Sequence, residues 1–300
     1  MNRRLKILAA CLIALMLLLP VTAQAGQGAY ANLDGHKVYY TDQGKGEPTL
    51  VLIHGWICNH KFWREQIPAL AKNHRVIALD MIGCGKSDAP QVAYTQELLA
   101  RSVLAVMDQA KVKDPVLIGH SMGLDVARRV ALEHPTRVRA LVSMDGALGL
   151  PPQEAVARAE WCKQADAFAA QFQGPDGQQK LGPFFDAMQD KSTPQALREW
   201  VKAQALATPW HVGKSSMAEF VKPANWDYRT LSIPVLAIYV PNPHLPPDFE
   251  AWLRTLFPNL RCAQITGAGH FVMLEKPGQV NALLLEFVDS KAVREKKTSK

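Results

Sequence analysis

The sequence predicts an α/β protein: a mostly parallel central sheet with helices on both faces, interrupted by an inserted helical segment. Between residues 49 and 144, short apolar runs of strand length alternate with longer amphipathic stretches, the rhythm of strands joined by crossover helices. That rhythm stops at 146–229, where no strand-like run occurs, and resumes at 235. With 300 residues and 48% hydrophobic content, the chain is long enough for one large core carrying an insertion.

Residues 1–25 stand outside this pattern. Arg3, Arg4 and Lys6 precede an apolar run over 7–20, and Ala23-Gln24-Ala25 gives a small-x-small cleavage site, which is the order of a secretory signal peptide. The mature chain is expected to begin near Gly26, to be periplasmic or secreted, and to keep no stable membrane span. The alternative is an uncleaved anchor, but the apolar run is short of the roughly 20 residues that span a bilayer comfortably. Leu8-Ala9-Ala10-Cys11 imitates a lipoprotein signal, yet the apolar run has hardly begun before that cysteine.

The elements then follow in order. Residues 29–33 and 36–41 alternate around Asp34-Gly35, a β-hairpin signal. Strands are predicted at 49–53, 75–79, 116–118 and 140–144, with helices at 61–72, 95–110 and 121–133 between them. Within 146–229, helical stretches at 153–172 and 195–207 flank Gly174-Pro175-Asp176-Gly177. A strand at 235–240, a segment over 248–256, a strand at 261–265 and a helix at 278–288 complete the pattern. The expected division is a first core part 26–145, a helical cap 146–229, a second core part 230–290 and a basic disordered tail 291–300. No internal repeat is visible.

The formal net charge of +7 says little about partners. The leader carries three of the cations, and Lys291, Arg294, Lys296, Lys297 and Lys300 sit in the tail against Glu295, so the body is close to neutral. Nucleic-acid binding needs a basic face on the folded surface, so no nucleic-acid partner is expected. Oligomeric state is not legible. No C-x-x-C or His/Cys cluster points to a metal, and no cofactor is expected. In an exported protein Cys58 and Cys84 could form a disulfide or remain a pair of small buried thiols; Cys162 and Cys262 read as core residues.

The most informative motif is Gly119-His120-Ser121-Met122-Gly123, which follows the apolar run 116–118 and precedes a helix-like stretch. Strand, sharp turn and helix put a serine at the apex, where its hydroxyl can stand clear of the backbone beside a base and amide donors. The pattern alone also fits a glycine-rich turn, so its neighbours decide. Leu50-Val51-Leu52-Ile53 runs into His54-Gly55-Trp56, Asp80 to Asp88 follows another strand, and Gly267-Ala268-Gly269-His270-Phe271 follows a third. In a parallel sheet these C-terminal strand ends share one edge, where ligands bind.

On these motifs, in this order, the chain resembles the α/β-hydrolase family over residues 30–290. The resemblance implies that Ser121 is a nucleophile, His270 its general base, and an acid the orienter of the histidine ring. The backbone N–H groups of Met122 and Trp56 would form the oxyanion hole. It also implies structural roles for His54 and His120, and loop-amide contacts for Asp80 and Asp88. Three departures stand out: Cys84 where relatives usually have histidine, Leu124 for a frequent third glycine, and no carboxylate in Pro241-Asn242-Pro243-His244, where many relatives place the acid. Asp145, at the end of the preceding strand, is a position other relatives use; Asp248 is the alternative acid, and a site without an acid is the third possibility.

The cap is rich in large apolar groups: Trp161, Phe168, Phe172, Phe184, Phe185, Met188, Trp200, Trp210, Met217, Phe220 and Trp226. Most should be packing, and a few should line an apolar pocket. The expected function is a secreted or periplasmic serine hydrolase that cleaves carboxylic esters of apolar acids or alcohols through an acyl-enzyme, with a small apolar ester as its partner. Lactone opening, perhydrolysis and C–C hydrolysis use the same triad, and a non-catalytic binding protein on this fold is the alternative of another class. Relatives that open epoxides or cleave haloalkanes carry an aspartate where Ser121 stands, which argues against those reactions.

Overall fold

Eight strands form one sheet in the computed structural model, which describes residues 28–146, 154–225, 227–242 and 249–295. They are β1 (Gly28–Leu33), β2 (His36–Gln43), β3 (Leu50–Ile53), β4 (Val76–Leu79), β5 (Val116–His120), β6 (Ala140–Met144), β7 (Val235–Tyr239) and β8 (Leu260–Gln264). The spatial order is β1-β2-β4-β3-β5-β6-β7-β8. β1 pairs antiparallel with β2, and β2 with β4; every later pairing is parallel. The hairpin closes through Asp34 and Gly35, both at positive φ (53° and 88°), the two-residue turn whose twist matches the strands.

Every residue of β3, β4, β5 and β6 is buried. Successive side chains of a strand point to opposite faces, so both faces of the central sheet are covered, as a parallel sheet requires. Helix α1 (Gln96–Gln109) starts at Thr95, whose hydroxyl accepts the Leu98 N–H, and packs beside α2 (Met122–Glu133).

Between β6 and β7 lie four helices: α3 (Ala155–Ala170), α4 (Gly177–Ala187), α5 (Gln195–Leu206) and α6 (Trp210–Phe220). No strand lies among the described residues of this stretch. α4 and α6 were not legible beforehand. Gly177, Gly182 and an internal Pro183 disguise α4, and a helix interior disfavours both residue types, so burial of Leu181 and Phe185 must hold it. The last helices are α7 (Phe249–Leu256), α8 (Pro277–Val288) and α9 (Lys291–Arg294).

Two expectations change. The helix foreseen at 61–72 is instead a 3-10 turn, His60–Trp63, followed by a short helix, Ile67–Leu70, with Pro68 in its first turn, where a missing N–H is harmless. The basic tail begins later than expected, because α9 folds back and buries Val293; residues 296–300 lie outside the described residues, as do the leader and Cys11. Among the described residues, no helix is long and apolar enough to cross a membrane.

Candidate active site

The sheet register builds the site. His120 on β5 pairs with Met144 on β6, so the residues that follow, Ser121 and Asp145, leave neighbouring strand tips. Each tip is pinned by a backbone bond: Ser121 N–H donates to Met144 C=O (3.1 Å), and Asp145 N–H donates to Ile238 C=O (2.7 Å). Both residues have positive φ, 52° and 41°, a region where a non-glycine residue is strained by about 1–3 kcal/mol and which tends to occur at functional sites. The flanking glycines are dictated by proximity. A Cβ on Gly119 would lie 2.5 Å from the Gly123 carbonyl oxygen, and one on Gly123 2.5 Å from that of Ile53.

His270 arrives on the loop after β8. Its Nδ1 donates to Asp145 Oδ2 at 2.6 Å, while Asp145 Oδ1 accepts the Val240 N–H at 3.1 Å. The loop after β7, which has no carboxylate at 241–244, thus supplies the amide that orients the carboxylate at the tip of β6. The two side chains are only 19% and 16% exposed, so the pair is little weakened by solvent. Nδ1 carries the proton in this arrangement, and Nε2 is left as the basic nitrogen. Asp248, the other candidate acid, lies outside the described residues.

The two other histidines near the serine are committed elsewhere. His120 Nε2 donates to the His270 carbonyl oxygen at 2.9 Å. Burial, then the neighbouring His270, push its pKa well below the ordinary value, so it stays neutral. His54 accepts the Met81 N–H on Nε2 (3.0 Å) and donates from Nδ1 to the Gly55 C=O (2.8 Å), and burial lowers its pKa too. Asp80 Oδ1 accepts from the His60 N–H (2.6 Å) and Nδ1 (2.8 Å), and its Oδ2 from Lys86 N–H (2.8 Å). Asp88 Oδ2 accepts the Lys37 N–H (2.7 Å). Asp80 thus holds a loop amide, as expected, whereas the amide that Asp88 holds belongs to strand β2.

Ser121, His270, Met122 and Trp56 line one cavity of about 140 Å³. Met122 is the first residue of α2, so its N–H belongs to the set that a helix leaves unpaired. The Trp56 indole is spoken for: Nε1 donates to the Gly213 carbonyl (3.0 Å) and Ser216 Oγ (3.1 Å) on α6. From the cap, Phe168, Phe184, Phe185, Met188, Met217 and Phe220 form the wall. Phe172 instead packs on Trp56, with ring centroids 5.1 Å apart, and Trp200 stacks under Arg64, 4.0 Å from its centroid. Trp226 lies outside the described residues.

Cys58 and Cys84 are free thiols in this structure, both buried. Burial pushes both pKa values up, so neither is a thiolate at neutral pH. Cys162 and Cys262 are half-buried rather than core residues. Among the described residues there is no group of three or more His, Cys, Asp or Glu that could hold a metal ion.

One further titratable group sits beside the elbow. Asp125, in the first turn of α2, has a buried Oδ2 without a partner among the described residues, and burial raises its pKa to about 8 despite Arg128. A carboxyl whose folded pKa lies above its unfolded value destabilises the fold increasingly as pH rises between the two, at up to about 1.4 kcal/mol per unit. Asp125→Asn should therefore match the wild type near pH 4 and gain thermal stability over it as pH rises toward 8. Equal melting differences at pH 5 and pH 8 would contradict this.

Some of the site left no trace in the sequence. The Met188 carbonyl accepts the His270 N–H at 2.7 Å, and Glu275 Oε2 accepts the Gly269 N–H at 2.9 Å. A backbone carbonyl has no side-chain signature, and a glutamate five positions after a loop histidine reads as an ordinary helix residue.

The sequence profile of the α/β hydrolase fold matches residues 48–277. Among curated proteins, the bifunctional epoxide hydrolase 2 of Rattus norvegicus is 26% identical, with 89% of this chain and 56% of the relative aligned. The chain thus spans about half the length of the mammalian epoxide hydrolases it matches. The pimeloyl-[acyl-carrier protein] methyl ester esterase of Aeromonas hydrophila is 30% identical over 82% of this chain and 96% of its own length. An esterase from Exiguobacterium antarcticum superposes with a TM-score of 0.77 at 23% identity, over 88% of this chain and all of its own. With the profile spanning most of the chain, and Ser121, Asp145 and His270 brought to one edge of the sheet, the chain belongs to the α/β-hydrolase family.

Proposed function

We propose that the protein is a serine hydrolase that cleaves carboxylic esters of compact, uncharged acids through an acyl-enzyme. The observation that carries this reading is the 2.6 Å hydrogen bond from His270 to Asp145, with His270 and Ser121 lining the same apolar cavity. Ser121 Oγ attacks the ester carbonyl while His270 Nε2 takes its proton, and the N–H groups of Met122 and Trp56 receive the oxyanion. His270 then protonates the departing alcohol, and a water activated by the same nitrogen releases the acid. Asp145 stabilises the imidazolium formed in both halves.

Epoxide opening does not carry over from the mammalian relatives. Attack by a serine oxygen on an epoxide carbon gives an ether, which water does not cleave, whereas a carboxylate nucleophile gives a hydrolysable ester. The leader read over 1–25 makes the periplasm or the medium the place of action in this proposal.

Cavity size sets the acyl group. A volume of about 140 Å³ is close to the ~150 Å³ of an engineered apolar cavity that binds benzene, so about six carbons fill it. Each added methylene contributes about 0.8 kcal/mol, or roughly fourfold in kcat/KM, until the space is full. Across p-nitrophenyl esters, kcat/KM should climb from acetate to about hexanoate and then fall. A steady rise through dodecanoate would refute the size limit, and no turnover of any ester would refute the function.

A further inference from the structure

We infer that Glu275 is a positioning residue that ties the seating of the cap to the position of His270. The inference rests on His270 being the general base proposed above. Glu275 ends the single helical turn Val272–Glu275 that follows the histidine. Its Oε2 accepts three hydrogen bonds: from the Gly269 N–H (2.9 Å), from Thr193 Oγ1 (2.8 Å) and from the Asp190 N–H (3.3 Å). Gly269 is the residue before His270, whereas Asp190 and Thr193 belong to the cap, in the loop between α4 and α5. One carboxylate oxygen therefore joins the histidine loop to the cap.

A second tie runs beside it. The His270 N–H donates to Met188 C=O at 2.7 Å, and Met188 directly follows α4. Two consecutive amides of the histidine loop are thus held by the cap, one directly and one through Glu275. The segments touch closely: a Cβ on Gly269 would lie 2.5 Å from Asp190 N and from Met188 O. α4 also brings Phe184 and Phe185 to the cavity wall, and Met188 lines it as well. The segment of cap that shapes the acyl pocket, α4 and the loop after it, is the one that fixes the backbone of the base. Asp145 sets the ring, and Glu275 sets the peptide that carries it.

The other carboxylate oxygen, Oε1, is buried without a hydrogen-bond partner among the described residues, and such a group carries a desolvation cost. All three contacts are made through Oε2. This separates Glu275→Gln, whose amide oxygen can accept the same three bonds, from Glu275→Ala, which removes them.

The test compares wild type, Glu275→Ala, Glu275→Gln and Thr193→Val for kcat and KM on p-nitrophenyl butyrate, for the rate of fluorophosphonate labelling of Ser121, and for thermal melting. Glu275→Ala should lose at least tenfold in kcat and in labelling rate, with a smaller change in KM, at temperatures where its melt shows a folded chain. Glu275→Gln should stay within about threefold of wild type, and Thr193→Val should fall between the two. A folded Glu275→Ala with wild-type kcat and labelling rate overturns the inference, as does a Glu275→Gln as impaired as the alanine variant. Should the alanine variant not fold, wild-type rates in Thr193→Val together with impaired Glu275→Gln overturn it equally. A wild type that neither labels nor hydrolyses rejects the catalytic reading itself, a result distinct from these.

Discussion

Replacing Ser121 by alanine should lower kcat for ester hydrolysis by a factor on the order of 10⁶, the scale of nucleophile loss in a serine triad. The loss is of this size because nothing near the site can stand in. His120 and His54 are neutral, buried and engaged in backbone hydrogen bonds, and the buried Cys58 thiol, though it lines the cavity, is held protonated. The oxyanion donors would survive the substitution, so ester binding and a residual rate above that in water should remain. Alanine at φ 52° keeps the same backbone strain as serine, so the melting temperature should change little, and activity can be read separately from folding. Fluorophosphonate should add one adduct to the wild type and none to Ser121→Ala. An adduct that persists in the variant would mean that another residue is the nucleophile.

How much of this could be read in advance depended on where the determining interactions lie along the chain. The elbow was legible because its causes are local: an apolar run over β5, two glycines forced by contacts with Gly123 and Ile53, and a helix that starts at once. The pairing of Asp145 with His270 was legible for a different reason, the empty loop at 241–244 together with a carboxylate at the tip of the adjacent strand. The reciprocal part has no such signal: the Val240 N–H turns the empty loop into a support for the Asp145 carboxylate. Pairing across strands has no signature within either strand. The cap was harder still. The stretches at 153–172 and 195–207 hold α3 and α5, but α4 holds two glycines and a proline and α6 was missed with it. These helices exist because of what they cover: one another, and residues such as Phe271, packed on Phe185 from 86 positions away. Glu275 and Met188 belong to the same class, since their contacts between cap and histidine loop join residues more than eighty positions apart and are largely to backbone.

Asp145→Asn should cost about 10⁴-fold in kcat, the loss seen when a triad aspartate becomes an amide and the histidine takes the wrong tautomer. The local geometry makes that outcome specific. Asp145 accepts two donors with two oxygens, the Val240 N–H on Oδ1 and His270 Nδ1 on Oδ2, whereas an asparagine has one oxygen and one NH₂. If the oxygen keeps the Val240 N–H, the NH₂ faces His270 and donates to Nδ1, which moves the ring proton to Nε2 and removes the base. If the oxygen keeps His270, the NH₂ confronts the Val240 N–H with no acceptor, at a cost of roughly 1–3 kcal/mol for an unsatisfied buried donor, so the first arrangement is favoured. The effect should fall on kcat more than on KM, because the histidine's orientation and charge matter most in the transition state. Asp248→Asn should lose less than about tenfold, since a charge at a helix start contributes only about 0.3–1 kcal/mol. Matched melts of both variants keep misfolding apart from chemistry. If Asp145→Asn retains near-wild-type kcat while Asp248→Asn collapses, the acid lies on the later loop and the 2.6 Å bond to His270 is a structural contact only.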